Sequence, residues 1–542
     1  MKAAQSHMAT GLPEKLHLPR RRDVSFWIVL LFAVLPLWSI VPLSWAFVIY
    51  ALRSGSVWTY AWCGQALFAA ALCEVFFSAY HYNLSRFISR QSPLPPTNLA
   101  ELQGALKRVL LAGLANLPED GYDEESLDID RPGSPAETIT LLDFDDPRAV
   151  DFRNYLRTWF NKMPWSSIHK NELHAWLYWS IFNAPFTSFD ALPASHQKVL
   201  QEATQMIESR SGSKIPDGSN PAVKPLRLTL DPVNVAWRPF VWYVGVALSN
   251  YILRRRFQNI WKAQIGTFNG LDYLLRVPSN WDPLTGPRPI VFMHGLGLGL
   301  TQYQRFLTQL FRQLPHHPVL VPLQPHVSQE IFHPAYLRPM SWRKMANCLA
   351  SLLNELGWAD LDEQEDEGLT SSETAKGAAE TKVPKGVTVL SHSNGSFTHA
   401  WMLKAHPGLI TRSCFVDPVT FCSWEGDLCY NFIYRSCATG MELIIKYFVG
   451  AELGVANFLQ RHFDWSSNSL WYEEIPAARD PSKNMFFLGG KDAIVNAERV
   501  RRYLTSHGVR KGLCYDPNGR HGQALLSGTS GQKTILQWLQ RA

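Results

Sequence analysis

The sequence predicts an α/β fold, a mostly parallel sheet flanked by helices, preceded by two apolar helices near the N-terminus. From about Ile260, short apolar runs alternate with amphipathic stretches, and this alternation is typical of a parallel sheet. Upstream, the run 24–52 contains no charged residue and exceeds the roughly 20 residues that cross a bilayer. With 542 residues, the chain is expected to hold two or three structural units.

Composition excludes some classes of function. The formal net charge of +6 is small for this length, and no dense basic face is evident, so nucleic acid is not an expected partner. The eight cysteines include no C-x-x-C pair, which argues against a zinc or redox site. No metal or cofactor is expected, and the scattered thiols are typical of a reducing compartment.

The N-terminal region is predicted to be a membrane hairpin. After Arg53, a second and less apolar run covers 54–82, interrupted only by Glu74. A signal peptide would have a shorter apolar core, so a permanent anchor is expected. Basic residues are more frequent in the tail 1–23 and after the second run than in the loop between the runs, which places both flanks and the bulk of the chain in the cytosol. If the second run does not span, the bulk lies on the opposite face.

The remaining chain divides by composition. Residues 99–232 carry no recognisable chemistry, and the apolar run 239–253, followed by three arginines, indicates a buried or interfacial helix. The acidic, Ser/Ala-rich segment 360–385 is interpreted as a solvated insertion. The expected organisation is a polar tail 1–23, two transmembrane helices 24–90, a linker and helical region 91–258, and an α/β domain 259–542 with insertions at 360–385 (acidic) and 422–472 (helical).

The segment Gly386–Leu403, GVTVLSHSNGSFTHAWML, predicts a strand, a tight turn and a helix. This is the layout of a nucleophile elbow, in which a serine sits in the turn of a G-x-S-x-G pattern. Ser393 occupies the nucleophile position and Gly395 the second glycine. Ser391 replaces the first glycine, and because serine is small, the tight turn is expected to tolerate it.

An oxyanion loop is predicted upstream of this elbow. The stretch VFMHGLGLGLTQYQRF places His294 and Gly295 at a strand end, followed by Leu296 and Gly297. The N–H of Leu296, or that of Gly297, is the expected donor to an oxyanion, with the amide of Asn394 as the second donor. A phosphate loop is the competing interpretation, but both the G-x-G-x-x-G and the P-loop patterns are missing.

An acid and a base follow the elbow along the chain. Asp492, in NMFFLGGKDAIV, comes just after a predicted strand, and Asp417, in CFVDPVTF, is the alternative acid. His521, in LCYDPNGRHGQALL, lies on the last loop and is the expected base. His294 and His392 also fall near the expected site, where they are expected to support the oxyanion loop and the elbow.

These segments together resemble the α/β-hydrolase superfamily, specifically its serine hydrolases with a His-Gly oxyanion loop, over residues 260–542. The resemblance implies a Ser393–Asp492–His521 triad and a cap over the active site formed by 422–472. An apolar cap beside a membrane anchor favours a lipophilic acyl substrate and contact with membrane lipids, and plain packing of this apolar segment is the alternative interpretation. Two alternatives remain open, an acyltransferase with the same triad and a non-catalytic membrane scaffold.

Overall fold

The computed structural model describes residues 20–90, 99–111, 141–359 and 386–541. Within these ranges, eight strands form one sheet in the order β1-β2-β4-β3-β5-β6-β7-β8. The strands are β1 (Gln264–Phe268), β2 (Leu271–Arg276), β3 (Ile290–Met293), β4 (Val319–Leu323), β5 (Val387–His392), β6 (Ile410–Val416), β7 (Asn484–Gly489) and β8 (Leu513–Asp516).

The sheet is mostly parallel. Strand β2 pairs antiparallel with β1 and β4, and every other pairing is parallel. Strands β3 to β7 are buried along their whole length, as expected of parallel strands covered by helices on both faces. This strand order with an antiparallel second strand is that of the α/β-hydrolase fold, so the predicted fold class is confirmed.

Longer helices surround the sheet and precede it. They are α1 (Val24–Ser54), α2 (Trp62–Arg90), α3 (Leu99–Leu111), α4 (Pro147–Leu156), α5 (Lys170–Phe182), α6 (Ala194–Ser211), α7 (Phe240–Trp261), α8 (Leu300–Gln313), α9 (Trp342–Glu355), α10 (Gly395–Ala405), α11 (Gly440–Ile445), α12 (Leu453–Arg461), α13 (Ala497–Ser506) and α14 (Ser530–Gln540). Helices α8 and α14 pack on one face of the sheet, and α9, α10 and α13 pack on the other.

Two apolar helices, α1 and α2, are long and apolar enough to cross a membrane by length and composition. Helix α1 widens into a π turn at Leu30–Val34, just before Pro36, which has no N–H for a regular helical bond. Many large apolar side chains on both helices face outward, with Phe32 79% and Phe76 68% exposed. Their exposure suits an apolar solvent better than water.

Both apolar helices are attached to the rest of the protein. The ring of Trp38 on α1 stacks on Trp237 with 4.7 Å between centroids. On α2, the buried carboxylate of Glu74 accepts the backbone N–H groups of Phe240 and Val241 at 2.6 and 2.9 Å. A carboxylate at this point satisfies two free donors of the α7 N-terminus and complements its helix dipole.

Helix α7 contains the predicted apolar run 239–253 and continues beyond its three arginines to Trp261. One face is buried through Tyr243, Val246 and Leu253, while the opposite face exposes a stripe of apolar side chains. The stripe consists of Val241, Val244, Leu248, Tyr251 and Ile252. This division fits the predicted interfacial helix.

Some sequence predictions fall outside the described residues. They are most of the polar tail (1–19), the linker segment 91–98 and the acidic insertion 360–385. The insertion 422–472 is described and is largely helical, as α11, α12 and the shorter turns Asp427–Cys429, Tyr430–Tyr434, Lys446–Gly450 and Trp465–Asn468.

Candidate active site

Ser393 occupies the turn between β5 and α10 with a backbone φ of +51°. A non-glycine residue is rarely found in this left-handed region, and such strain is concentrated at functional sites. The turn also requires glycine at position 395, because a Cβ there would lie 2.1 Å from the carbonyl oxygen of Met293. The local geometry is therefore that of a nucleophile elbow, with the Ser393 side chain at the carboxyl edge of the sheet.

Ser393, His521 and Asp492 form a continuous hydrogen-bonded chain. The Nε2 atom of His521 lies 2.8 Å from the Oγ atom of Ser393, and its Nδ1 atom lies 2.6 Å from Oδ2 of Asp492. A carboxylate can only accept, so Nδ1–H donates to Asp492 and, in the neutral ring, Nε2 accepts the hydroxyl proton of Ser393. The structure thus brings together the three residues that the sequence proposed as nucleophile, base and acid.

The pKa of His521 is raised to about 9. Burial disfavours the charged ring, but the Asp492 carboxylate, through its charge and its hydrogen bond, and the charge of Asp417 outweigh that cost. The surroundings of His521 therefore stabilise an imidazolium, the species formed when the ring accepts the serine proton.

The two candidate acids occupy different positions. Asp492 contacts the imidazole, and its Oδ1 accepts the N–H groups of Ile494 and Val495 at 2.7 and 3.0 Å. Asp417 accepts backbone N–H groups instead, from Gly489 at 2.9 Å and Gly522 at 2.7 Å. Burial raises the pKa of Asp417 to about 6, with His521 lowering it and Asp492 raising it. The geometry therefore favours Asp492 as the partner of the imidazole.

Asp417, Asp492 and His521 approach one another closely enough to be considered as a metal site, since ligating atoms from the three residues lie within 4.8 Å. Both oxygens of Asp417 already accept backbone amides, and both oxygens of Asp492 accept hydrogen bonds from protein donors. A cation would have to displace these bonds. The donor set fits a hydrogen-bonded acid and base better than a metal centre.

The loop after β3 was predicted to supply an oxyanion donor. Within the described part of the chain, the backbone N–H groups of Leu296 and Asn394 have no hydrogen-bond acceptor, and both residues line the cavity at Ser393. The N–H of Gly297 donates to the carbonyl of Val327 at 3.0 Å, which corrects the prediction that Gly297 could be a donor. Gly297 instead supplies a φ of +147° that suits glycine.

A buried network holds this loop against the elbow. The Tyr303 hydroxyl accepts the N–H of Gly295 at 2.9 Å and is hydrogen-bonded to Nδ1 of His392 at 2.7 Å. A Cβ on Gly295 would lie 3.0 Å from the Cβ of Ser393, so glycine permits the close approach.

The pKa of His392 lies well below its usual value because of burial, with smaller effects of His521 and His294. His294 is also buried, and its Nδ1–H donates to the Gly295 carbonyl at 2.9 Å.

Ser391 does more than fit the position of the first elbow glycine. Its hydroxyl is buried and lies 2.9 Å from Nδ1 of His399 on α10. The other ring nitrogen of His399 lies 3.1 Å from the hydroxyl of Ser413 on β6. Burial lowers the pKa of His399 to about 3, so the ring is neutral. A serine is therefore useful here because it satisfies a buried histidine.

A cavity of about 50 Å³ adjoins Ser393. The insertion 422–472 contributes most of its outer wall, and Leu228, from the region in which the sequence revealed no chemistry, contributes another part. The lining is apolar except at the elbow and comprises Leu228, Leu296, Ser393, Asn394, Phe397, Val419, Leu428, Cys429, Phe432, Ile433, Leu459, Phe463 and Ile494. A space of this volume is too small for a large ligand.

Sequence reasoning missed Tyr303, Leu228 and the role of Asp417 as the acceptor of the N–H groups of Gly489 and Gly522. Tyr303 lies one helical turn into α8, just after the predicted oxyanion loop, but that motif assigns no role to a tyrosine at this position. Leu228 lies in an irregular segment far from the strands in sequence. Of these three residues, only Asp417 carried a signal in the sequence, because it follows a predicted strand. That signal indicated a possible acid.

No protein-family model and no curated protein matches this sequence. Among solved structures, a bacterial membrane phospholipase A described as a virulence factor is 12% identical over 56% of this chain and 92% of its own, with a TM-score of 0.35. A putative aryl esterase from Burkholderia cenocepacia is 15% identical over 51% and 98%, with a TM-score of 0.30. A carboxylesterase from Bacillus subtilis is 10% identical over 54% and 98%, with a TM-score of 0.31.

Proposed function

We propose that the protein is a membrane-anchored serine hydrolase that cleaves an ester of a lipid or another lipophilic acyl compound. The observation that carries this proposal is the chain of hydrogen bonds from Ser393 through His521 to Asp492, at 2.8 and 2.6 Å. An alcohol is a weak nucleophile at neutral pH, and a base oriented by a carboxylate is the arrangement that activates it.

The residues of the site suggest each step. His521 takes the proton of Ser393 as the oxygen attacks the acyl carbonyl, and Asp492 stabilises the resulting imidazolium. The N–H groups of Leu296 and Asn394 donate to the oxyanion. His521 then protonates the departing alcohol, leaving an acyl-enzyme. Water, deprotonated by the same imidazole, attacks the acyl-enzyme and releases the acid and the free serine.

The anchor is part of the proposal. Helices α1 and α2 would cross the membrane as a hairpin, with the catalytic domain on the cytosolic side, as the basic flanks predict. The exposed stripe of α7, which ends in three arginines, would lie at the same membrane surface. An enzyme held in this way meets substrates that partition into lipid, which supports a lipophilic acyl substrate.

Hydrolysis of p-nitrophenyl esters by the full-length protein in detergent tests the proposal. We expect Ser393→Ala and His521→Ala each to lower kcat by roughly 10⁴-fold or more, as in other enzymes with this triad. Ser279→Ala, at an exposed loop, serves as the matched control and should retain wild-type kcat. Equal rates in wild type and Ser393→Ala would overturn the proposal, and product analysis with an added alcohol would reveal acyl transfer in place of hydrolysis.

A further inference from the structure

A second and much larger cavity lies between helix α2 and the catalytic domain. Its volume is about 1150 Å³, above the roughly 300–1,000 Å³ common for small-molecule sites. Four residues of α2 form one wall, namely Phe77, Tyr80, Leu84 and Phe87. The opposite walls come from the segment 331–342 and from the segment that follows α12. We call this cavity the chamber.

The chamber opens beside the apolar helices. Tyr80, Phe87 and Phe332 line it and are 49%, 56% and 54% exposed, so these aromatic rings mark its mouth. Aromatic side chains in such positions are typical of the interface between lipid tails and headgroups. A ligand dissolved in the membrane could therefore enter the chamber without passing through water.

The wall formed by α2 is held firmly in place. Nε of Arg461 donates to the carbonyl of Ile88 at 3.0 Å, and Phe77 packs against Phe240 and Tyr243 with ring centroids 5.3 and 5.5 Å apart. Glu74 adds its two bonds to the start of α7. The chamber is therefore a built feature of the fold and not a gap beside a loose anchor.

Many polar groups in the walls are already satisfied by protein. The Trp465 indole donates to the carbonyl of Ser180, the Trp401 indole donates to Asn468, and Asp464 accepts the amides of Ser466 and Ser467. The surface left for a ligand is mainly aromatic and aliphatic. Such a surface fits a hydrocarbon chain, since each methylene buried contributes about 0.8 kcal/mol.

The chamber borders the cavity at Ser393. Phe463 lines both spaces, and on α12 the neighbours Phe458 and Leu459 line the chamber and the Ser393 cavity respectively. The Ser393 cavity, at about 50 Å³, has room for a few waters, since each needs roughly 10–15 Å³ in this measure. A long acyl chain attached to a carbonyl at Ser393 must extend into other space, and the chamber is a large space that adjoins this cavity.

We infer that the chamber binds the long acyl chain of a membrane lipid substrate, which enters between Tyr80, Phe87 and Phe332 and reaches Ser393 past Phe463. This inference rests on the proposed function for the identity of the reacting serine. The binding of a hydrocarbon chain in the chamber does not depend on Ser393, so the two can be tested separately.

Cross-linking tests the binding directly. Full-length protein in phospholipid nanodiscs is irradiated with a diazirine-bearing palmitic acid, and the labelled peptides are identified by mass spectrometry, in wild type and in Ser393→Ala. We expect labels in the segments 77–87, 331–342 and 458–468, competed by unlabelled palmitic acid. Labels confined to other segments would overturn the inference, whether or not Ser393 is catalytic.

A chain-length profile tests the connection to Ser393. Leu84→Trp and Met340→Trp fill the chamber from opposite walls. We expect each variant to lower the ratio of kcat/KM for p-nitrophenyl palmitate to kcat/KM for p-nitrophenyl butyrate by about tenfold or more. A loss of this size is typical when a hydrophobic pocket no longer accepts one or two methylenes. Leu67→Trp, on the same helix but 61% exposed and outside the chamber, should leave the ratio unchanged. An unchanged ratio in both chamber variants would contradict a path from the chamber to Ser393.

Absence of any esterase activity in wild type would refute the proposed function instead, while the cross-linking result would stand.

Discussion

The carboxylate of Asp417 accepts a hydrogen bond at 2.7 Å from the backbone N–H of Gly522, the residue that follows His521. Its other oxygen accepts the N–H of Gly489, shortly before Asp492. One buried carboxylate therefore ties together the two loops that carry the proposed base and acid. It also adds negative charge near the imidazole and contributes to the raised pKa of His521.

Replacing this carboxylate should change the pH dependence of activity. Catalysis needs neutral His521, so kcat/KM should rise with pH up to the raised pKa of His521, about 9. Asp417 has a pKa of about 6 and is ionised over the upper part of that range. Asp417→Asn removes its charge and should move the acid limb of the kcat/KM profile to lower pH. An acid limb that stays in place or moves upward in Asp417→Asn, relative to the exposed-site control Asp282→Asn, would contradict this account.

The hydroxyl of Ser391 should contribute to stability. Ser391→Ala keeps the small size that the elbow needs but leaves Nδ1 of buried His399 without its partner. A buried polar group that loses its partner costs about 1–3 kcal/mol, and we expect a loss of that size in the free energy of unfolding, measured by denaturant titration. Ser413→Ala removes the partner of the other ring nitrogen and should have a similar effect, whereas a stability equal to that of wild type in both variants would show that His399 does not need these bonds.

Tyr303 is predicted to position the oxyanion loop. Tyr303→Phe removes the hydroxyl that links Gly295 to His392, so the Leu296 amide is less well placed for the transition state. We expect kcat to fall by about tenfold with little change in KM, because the lost alignment affects charge that develops only during the reaction. Tyr273→Phe, on β2, which β4 separates from β3, is the control. A rise in KM with unchanged kcat would indicate a role in substrate binding instead.

The proposed membrane topology can be examined with a native cysteine. Cys63 is exposed and lies at the start of α2, next to the loop between the two apolar helices. If both helices span, a membrane-impermeant maleimide added to the cytosolic side of sealed vesicles should not react with Cys63 until the membrane is opened. A cysteine introduced at the exposed Ser530 should react at once. Immediate labelling of Cys63 from the cytosolic side would mean that the hairpin does not cross.

The sequence predicted those parts of the site that depend on strand ends. Ser393, Asp492 and His521 each follow a strand, and parallel strands bring their carboxyl ends to one edge of the sheet, so their order along the chain was enough to place them near one another. The fold class followed from the same alternation of strands and helices. Their catalytic roles remain a prediction until activity is measured.

Other parts of the site could not be predicted from a single sequence. Tyr303 reaches His392 only because α8 packs against the β5 turn, and no local pattern encodes that distance. The Gly297 N–H was expected to be free to donate to an oxyanion, but it donates to the carbonyl of Val327. No helix or strand contains both residues, so no local sequence pattern indicates this bond. The chamber depends on how α2 docks against α7 and α12, which is a long-range packing outcome and leaves no periodic signal in any one element.

Covalent labelling with a fluorophosphonate tests the central claim most directly. This reagent reacts with a serine only when a base activates it and an oxyanion site stabilises the adduct. We predict that the full-length protein takes up one equivalent, that mass spectrometry locates the adduct on Ser393, and that Ser393→Ala is not labelled while Ser391→Ala is. Equal labelling of wild type and Ser393→Ala, or no labelling of folded wild type, would contradict the assignment of Ser393 as the nucleophile.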